Sequence, residues 1–194
     1  MKKILIKSIP FKLLFICLWL SNYNAFAQKT TIYIVRHAEK AATPADDPEL
    51  TAEGQKRAKD LAKTLKHEKI AGIYTTSYKR TSLTAKPTAE KFTLVTESYN
   101  PSDLKTFATK LFQFYKGHSV LIVGHSNTVI PTIVALGGQK PFDTLADNDY
   151  DMLFKLTIKD GKPELVISYY GDKHHTTIIP EQYLEYNIKD FVKP

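Results

Sequence analysis

A chain of 194 residues, 43% of them hydrophobic and 24% charged, has the size and mix of one domain with its own core. Its formal net charge is +7, but Lys2, Lys3, Lys7 and Lys12 fall in the first 27 residues, which hold no acid, so +3 remains on the rest. That balance gives no warrant for nucleic-acid binding, and the sequence contains a single cysteine, Cys17.

Residues 1–27 combine a lysine-rich start, an apolar centre and the small-x-small end Ala25-Phe26-Ala27. This is the pattern of a secretory signal peptide cut before Gln28, which leaves residues 28–194 as one periplasmic or secreted domain. The apolar run Phe11–Leu20 falls short of the roughly 20 residues a membrane span needs, so no stable membrane insertion is expected after cleavage. Ile16 stands where a lipoprotein signal ending at Cys17 would want a small residue. Cleavage removes Cys17, and a chain without thiols suits an oxidising compartment while excluding disulfides, a cysteine nucleophile and thiolate metal sites.

The β-branched and aromatic run 31–35 predicts a strand, followed by the polar, proline-bearing loop 41–50. A helix follows, capped by Thr51, with Ala58, Leu61, Ala62 and Leu65 on one face and lysines in its last turns. "IAGIYTT" predicts a second strand, "SYKRTSLTAKPTAEKF" a helix kinked at Pro87, and "TLVTES" a third strand. Leu104, Phe107, Ala108, Leu111, Phe112 and Tyr115 repeat at helical spacing, with Ser102 as the expected cap and Gly117 as the stop. The continuous apolar run "SVLIVGH" predicts a strand covered on both faces, and "NTVIPTIVALGG" a short helix. Residues 150–171 alternate around Asp160-Gly161, as an antiparallel hairpin does. The fold class is therefore α/β: a three-layer α/β/α sandwich with a mostly parallel central sheet and a C-terminal antiparallel hairpin.

In such a sheet, ligands bind beyond the carboxyl ends of the strands. There the first strand delivers Arg36 and His37, the second leads to Ser77 and Arg80, and the fourth ends in Gly124-His125. Arginine forks suit phosphate oxygens, and backbone N–H groups near Ser126 and Asn127 could add donors. A neutral histidine between two arginines is a good phosphoryl nucleophile without a metal. His37 fits that part and Arg36 that of a phosphate clamp. No HExxH spacing and no glycine-rich phosphate loop appears in the sequence.

Four segments together resemble the histidine phosphatase superfamily, in its phosphoglycerate mutase-like branch. They are "VRHAEK", with Ala38 in place of the family's glycine, then "LTAEGQKRA", "SYKRTSLTA" and "VLIVGHSNTV", spread in the family's order over residues 31 to 140. The resemblance implies that His37 is the phosphorylated nucleophile, that Arg36, Arg80 and His125 complete the phosphate pocket, and that no cofactor or metal takes part. For the acid that protonates the leaving group it offers Asp103, with Glu97 as the alternative, or no acid at all. Asp103 also suits a helix entrance for the dipole alone. Thr43 reads as a loop-surface residue, Glu39 and Lys40 as rim residues, and His174-His175 as a surface pair.

These readings lead to an expected exported, metal-independent phosphatase that acts on a phosphorylated small molecule or phosphoprotein through a phosphohistidine. Two alternatives stand beside it: a phosphoglycerate mutase-type phosphotransferase, and a non-catalytic phosphate-binding or interaction protein on the same fold. The signature of the histidine acid phosphatases continues Arg-His-Gly-x-Arg-x-Pro, which "RHAEKAA" does not.

Overall fold

The computed structural model describes residues 29–185, so the expected signal peptide lies outside the described residues. The elements run β1 (Lys29–Arg36), α1 (Ala52–Thr64), β2 (Ile70–Thr75), α2 (Lys79–Phe92), β3 (Thr96–Ser98), α3 (Leu104–Tyr115), β4 (Ser119–Gly124), α4 (Val129–Ala135), β5 (Met152–Lys159) and β6 (Lys162–Tyr169). A 3₁₀ turn, Glu181–Tyr183, follows. No helix among the described residues is long and apolar enough to cross a membrane.

The six strands form one sheet in the order β3-β2-β4-β1-β5-β6. β1, β2, β3 and β4 pair parallel to one another, β5 pairs antiparallel to β1, and β6 antiparallel to β5. Alternation along β1 shows why the sheet is covered on both faces. Ile32 and Ile34 point into a core that includes Phe107, Ala108 and Leu111 of α3 and Ile130 and Ile133 of α4. Tyr33 and Val35 point the other way, toward Leu61 and Leu65 at α1 and Ala85 and Ala89 of α2. Full burial of a side chain such as Ile34 or Leu121 is worth roughly 1.5–3 kcal/mol, which makes the central strands the most strongly held part of the fold.

The helix starts follow from particular side chains. The Thr51 hydroxyl accepts the Gly54 N–H at 3.1 Å and caps α1. Gly54 is required there because a Cβ would sit 2.1 Å from the Glu39 carbonyl oxygen. α2 runs unbroken through Pro87 and closes on Thr93, which adopts the left-handed conformation. That closure leaves only Thr96–Ser98 to form the third strand, shorter than the expected 93–98. α3 is capped by Asp103, one residue beyond the expected Ser102, and its Oδ1 accepts the Thr106 N–H at 3.2 Å. The hairpin turns at Asp160 and Gly161, both at positive φ (52° and 74°), as a two-residue loop requires.

One feature of the topology positions the site. β1 and β4 are neighbours in parallel register, with Arg36 opposite Gly124, so the next residue on each strand is a histidine at the same sheet edge.

Candidate active site

His37 follows β1 directly, and its N–H donates to the Gly124 carbonyl at 2.9 Å, which ties the end of β1 to the end of β4. Its ring lies 5.3 Å from the His125 ring, centroid to centroid, at 66°. The His37 Nδ1–H donates to the Ala38 carbonyl at 2.8 Å; a carbonyl can only accept, so the proton sits on Nδ1 and Nε2 carries a free lone pair. Burial pushes the His37 pKa down to about 3, and the positive charges of Arg36 and Arg80 act in the same direction. His125 is lowered to about 4, again by burial first and then by Arg80 and Arg36. Both rings are therefore neutral at physiological pH.

Arg36 is buried at the strand end. Its Nη1 donates to the carbonyls of Ala146 and Asp147 at 2.8 and 2.9 Å, and its Nη2 reaches the Tyr150 hydroxyl at 3.4 Å. Arg80, near the start of α2, lies with its Cζ 4.1 Å from the centre of the Tyr78 ring. The Nε of each of these two arginines is buried with no partner among the described residues. An unsatisfied buried donor is costly, so two such donors beside a neutral imidazole describe a site built to receive an anion's oxygens.

Ala38 is fully buried, and its N–H donates to the Thr84 hydroxyl at 2.9 Å. The backbone after His125 makes its contacts through the Ser126 carbonyl, which accepts from Thr144 and Leu145. α4 begins only at Val129, so the helix start expected near Ser126 and Asn127 lies further along.

Asp103 forms no hydrogen bond or ion pair with these four residues. It is exposed, caps α3, and is held below the usual carboxylate range by its hydrogen bonds from Thr106. That shift, set by the capping hydrogen bonds, is the opposite of the one a proton donor at neutral pH uses. Asp103→Ala is expected to lower the urea midpoint through loss of the cap and to leave kcat on an aryl phosphate near the parent value. An unchanged midpoint with a collapsed kcat would return Asp103 to the chemistry. Glu97 is also exposed, and it accepts from the Tyr115 hydroxyl at 3.2 Å, at the far end of α3.

Glu39 corrects the expectation of a rim residue. Its Oε1 is held by Arg57, 2.8 Å from Nε and 2.7 Å from Nη2, in a buried ion pair. Lys40 and Thr43 are exposed in the loop, as expected. Of the histidine pair, His174 is exposed and packs edge-on against Tyr150, while His175 reaches the buried Asp151 at 2.7 Å and stacks on Tyr169. Ser77 pairs with Ser98 at 3.4 Å on the exposed surface and forms no hydrogen bond with the two imidazoles.

Several site residues carry no local signature. Thr76 places its hydroxyl 2.8 Å from His125 Nε2 and 3.0 Å from the Thr81 hydroxyl. Tyr150 lies 4.2 Å under the Arg36 guanidinium, and its ring centre is 6.2 Å from that of His37. Asp149, 1% exposed, holds the loop that supplies the Arg36 carbonyls by accepting from Ala146, Thr176 and Thr177. Burial opposes its ionisation, but those hydrogen bonds outweigh burial and lower its pKa. The one available signal was proximity in sequence: Thr76 and Tyr78 flank the stretch that leads to Arg80.

The resemblance read from the motifs is matched by a family model, histidine phosphatase superfamily (branch 1), over residues 32–100. No protein of curated function matches the chain by sequence. Among solved structures, the chain is similar to the protein histidine phosphatase SixA complexed with tungstate, with 18% identity and a TM-score of 0.56 over 72% of this chain and 95% of that one. It is also similar to an Escherichia coli putative alpha-ribazole-5'-P phosphatase, at 13% identity and a TM-score of 0.58 over 81% and 99% of the two chains. A mycobacterial glucosyl-3-phosphoglycerate phosphatase aligns at 12% identity and a TM-score of 0.55 over 73% and 98%. These likenesses establish the fold.

Proposed function

Because the chain carries the signature and the fold of the histidine phosphatase superfamily, we propose that it is a phosphatase working through a phosphohistidine on His37. The observation that carries this reading is the free Nε2 of a neutral His37, flanked by two buried guanidinium Nε donors without an acceptor. Tungstate, held by the SixA relative, is a tetrahedral oxyanion of the kind such donors would receive.

Nε2 attacks phosphorus in line as the bond to the leaving group breaks, while the proton stays on Nδ1, hydrogen-bonded to the Ala38 carbonyl. Arg36 and Arg80 hold the equatorial oxygens, whose charge spreads in the transition state. Water then attacks phosphorus as the Nε2–P bond breaks; the bond's electron pair returns to Nε2, a proton of the water passes to a phosphoryl oxygen, and dihydrogen phosphate leaves a neutral imidazole behind. No carboxylic acid among the described residues hydrogen-bonds to the His37 or His125 ring, whose partners are the Ala38 carbonyl and the Thr76 hydroxyl, and both rings are neutral at physiological pH. This favours leaving groups that depart with little protonation: aryl phosphates, phosphoanhydrides or phosphohistidine. Export to the periplasm or medium is part of the proposal and is supported by the pattern of residues 1–27.

The test is hydrolysis of 4-nitrophenyl phosphate and a phosphohistidine peptide in excess chelator, followed across pH. kcat/KM is expected to stay level down to about pH 5, then fall toward the His125 and His37 values of about 4 and about 3. Loss of activity to chelator, or an acid limb in the ordinary imidazole range, would sink the reading. Stability has a sign of its own. The unfolded chain protonates these imidazoles near the ordinary value of 6.5 and the folded chain only near 3 and 4. Their contribution is therefore complete above about 6.5 and is lost as the pH falls toward the folded values.

A further inference from the structure

The sequence contains three arginines, and they are held in two ways. Arg57 is buried against the carboxylate of Glu39. Arg36 and Arg80 have no carboxylate partner among the described residues; each is laid against the face of a tyrosine, at 4.2 Å for Tyr150 and 4.1 Å for Tyr78. Each ring also sits beside one of the histidines, Tyr150 at 6.2 Å from His37 and Tyr78 at 5.3 Å from His125. The two stacks thus flank the histidine pair.

The chemistry of the alternatives explains the difference. A carboxylate fixes a guanidinium well, but it occupies the in-plane donors and offsets the charge that an incoming dianion needs. An aromatic face attracts the cation and restrains its plane without taking an in-plane donor; on Arg36 the Ala146 and Asp147 carbonyls hold Nη1 and the Tyr150 hydroxyl meets Nη2, which leaves Nε. The in-plane edge is the part of arginine that meets phosphate oxygens, and both buried unpartnered Nε atoms lie on it. The rings are themselves restrained. The Tyr150 N–H donates to the His174 carbonyl, and its ring meets the His174 ring edge-on. The Tyr78 carbonyl accepts the fully buried Thr81 hydroxyl at 2.8 Å. The stack also accounts for a tyrosine left 43% exposed at the entrance to α2.

We propose that Tyr78 and Tyr150 are positioning residues that help to set the planes of Arg80 and Arg36, presenting the unpartnered Nε edge of each guanidinium to a phosphoryl group. The proposal rests on the phosphoryl-site reading above. The test compares Tyr78→Leu, Tyr78→Phe, Tyr150→Leu and Tyr150→Phe in the full chain. Tungstate affinity is measured by calorimetry, and kcat and KM on 4-nitrophenyl phosphate. Each leucine variant is expected to lose about tenfold in tungstate affinity and in kcat/KM, with kcat falling more than KM rises, while each phenylalanine variant stays within about twofold of the parent. Melting temperature controls for folding, and exposed Tyr78 gives the cleaner of the two comparisons. Leucine variants that bind tungstate and turn over like the parent would overturn the proposal. So would phenylalanine variants as impaired as leucine, since the hydroxyl and not the face would then matter. If the parent binds tungstate but hydrolyses nothing, the phosphatase reading fails alone and the affinities still decide on the tyrosines. If the parent does not bind tungstate, both fall.

Discussion

His37→Ala is expected to lose at least about four orders of magnitude in turnover on any phosphoryl substrate, while unfolding as cooperatively as the parent. The reason for the separation is local. The His37 side chain hydrogen-bonds to the carbonyl of the adjacent Ala38, and the contact that joins β1 to β4 runs through its backbone N–H, which alanine keeps. Removing the ring takes away the nucleophile and opens space at the sheet edge without cutting into either core cluster. Rapid-quench labelling should show an acid-labile phosphoenzyme in the parent and none in the variant. Substantial residual turnover would reject His37 as nucleophile even with the surrounding geometry intact.

The second large effect falls on stability. In Arg57→Met the carboxylate of Glu39 loses the guanidinium that grips its Oε1, and Oε2 already has no partner among the described residues. Stranding one member of a buried ion pair costs about 3–5 kcal/mol, a large part of the roughly 5–15 kcal/mol that holds a domain together. Arg57 also donates from Nη1 to the carbonyls of Tyr170 and Asp172, so the same change loosens the end of the hairpin against α1. Denaturant titration checks the value. The double variant Glu39→Leu/Arg57→Met should recover part of the loss, because no bare charge is then left inside. A single variant as stable as the parent would show that the pair is solvated in solution.

The elements with the plainest patterns are legible in the sequence. The apolar runs of β1 and β4 announced central strands, and both proved buried throughout most of their length. Arg36, His37, Arg80 and His125 were legible because each lies at a strand-to-helix junction, and such junctions gather at one sheet edge. Asp103 is ambiguous for a physical reason: a capping carboxylate and a catalytic one look the same in a sequence, and the structure shows the cap through the hydrogen bond from Thr106. The partners of Arg36 were out of reach because Ala146, Asp147 and Tyr150 are more than 100 positions away and sit in a loop without regular spacing. Glu39 was misplaced on the rim because charge patterning predicts exposure, whereas its ion pair with Arg57 is a tertiary contact. The third strand was drawn too long because Thr93 ends α2 in a left-handed turn that residue type alone does not demand.

The parallel register of β1 and β4 has a consequence for how the protein ages and fails. The gap between the two imidazoles is set by the distance between adjoining strands, about 4.8 Å, and not by any loop. Amide protons at this edge should therefore exchange only when the whole sheet comes apart, and a population damaged by heat should divide into intact enzyme and unfolded chain, with no half-working intermediate between them.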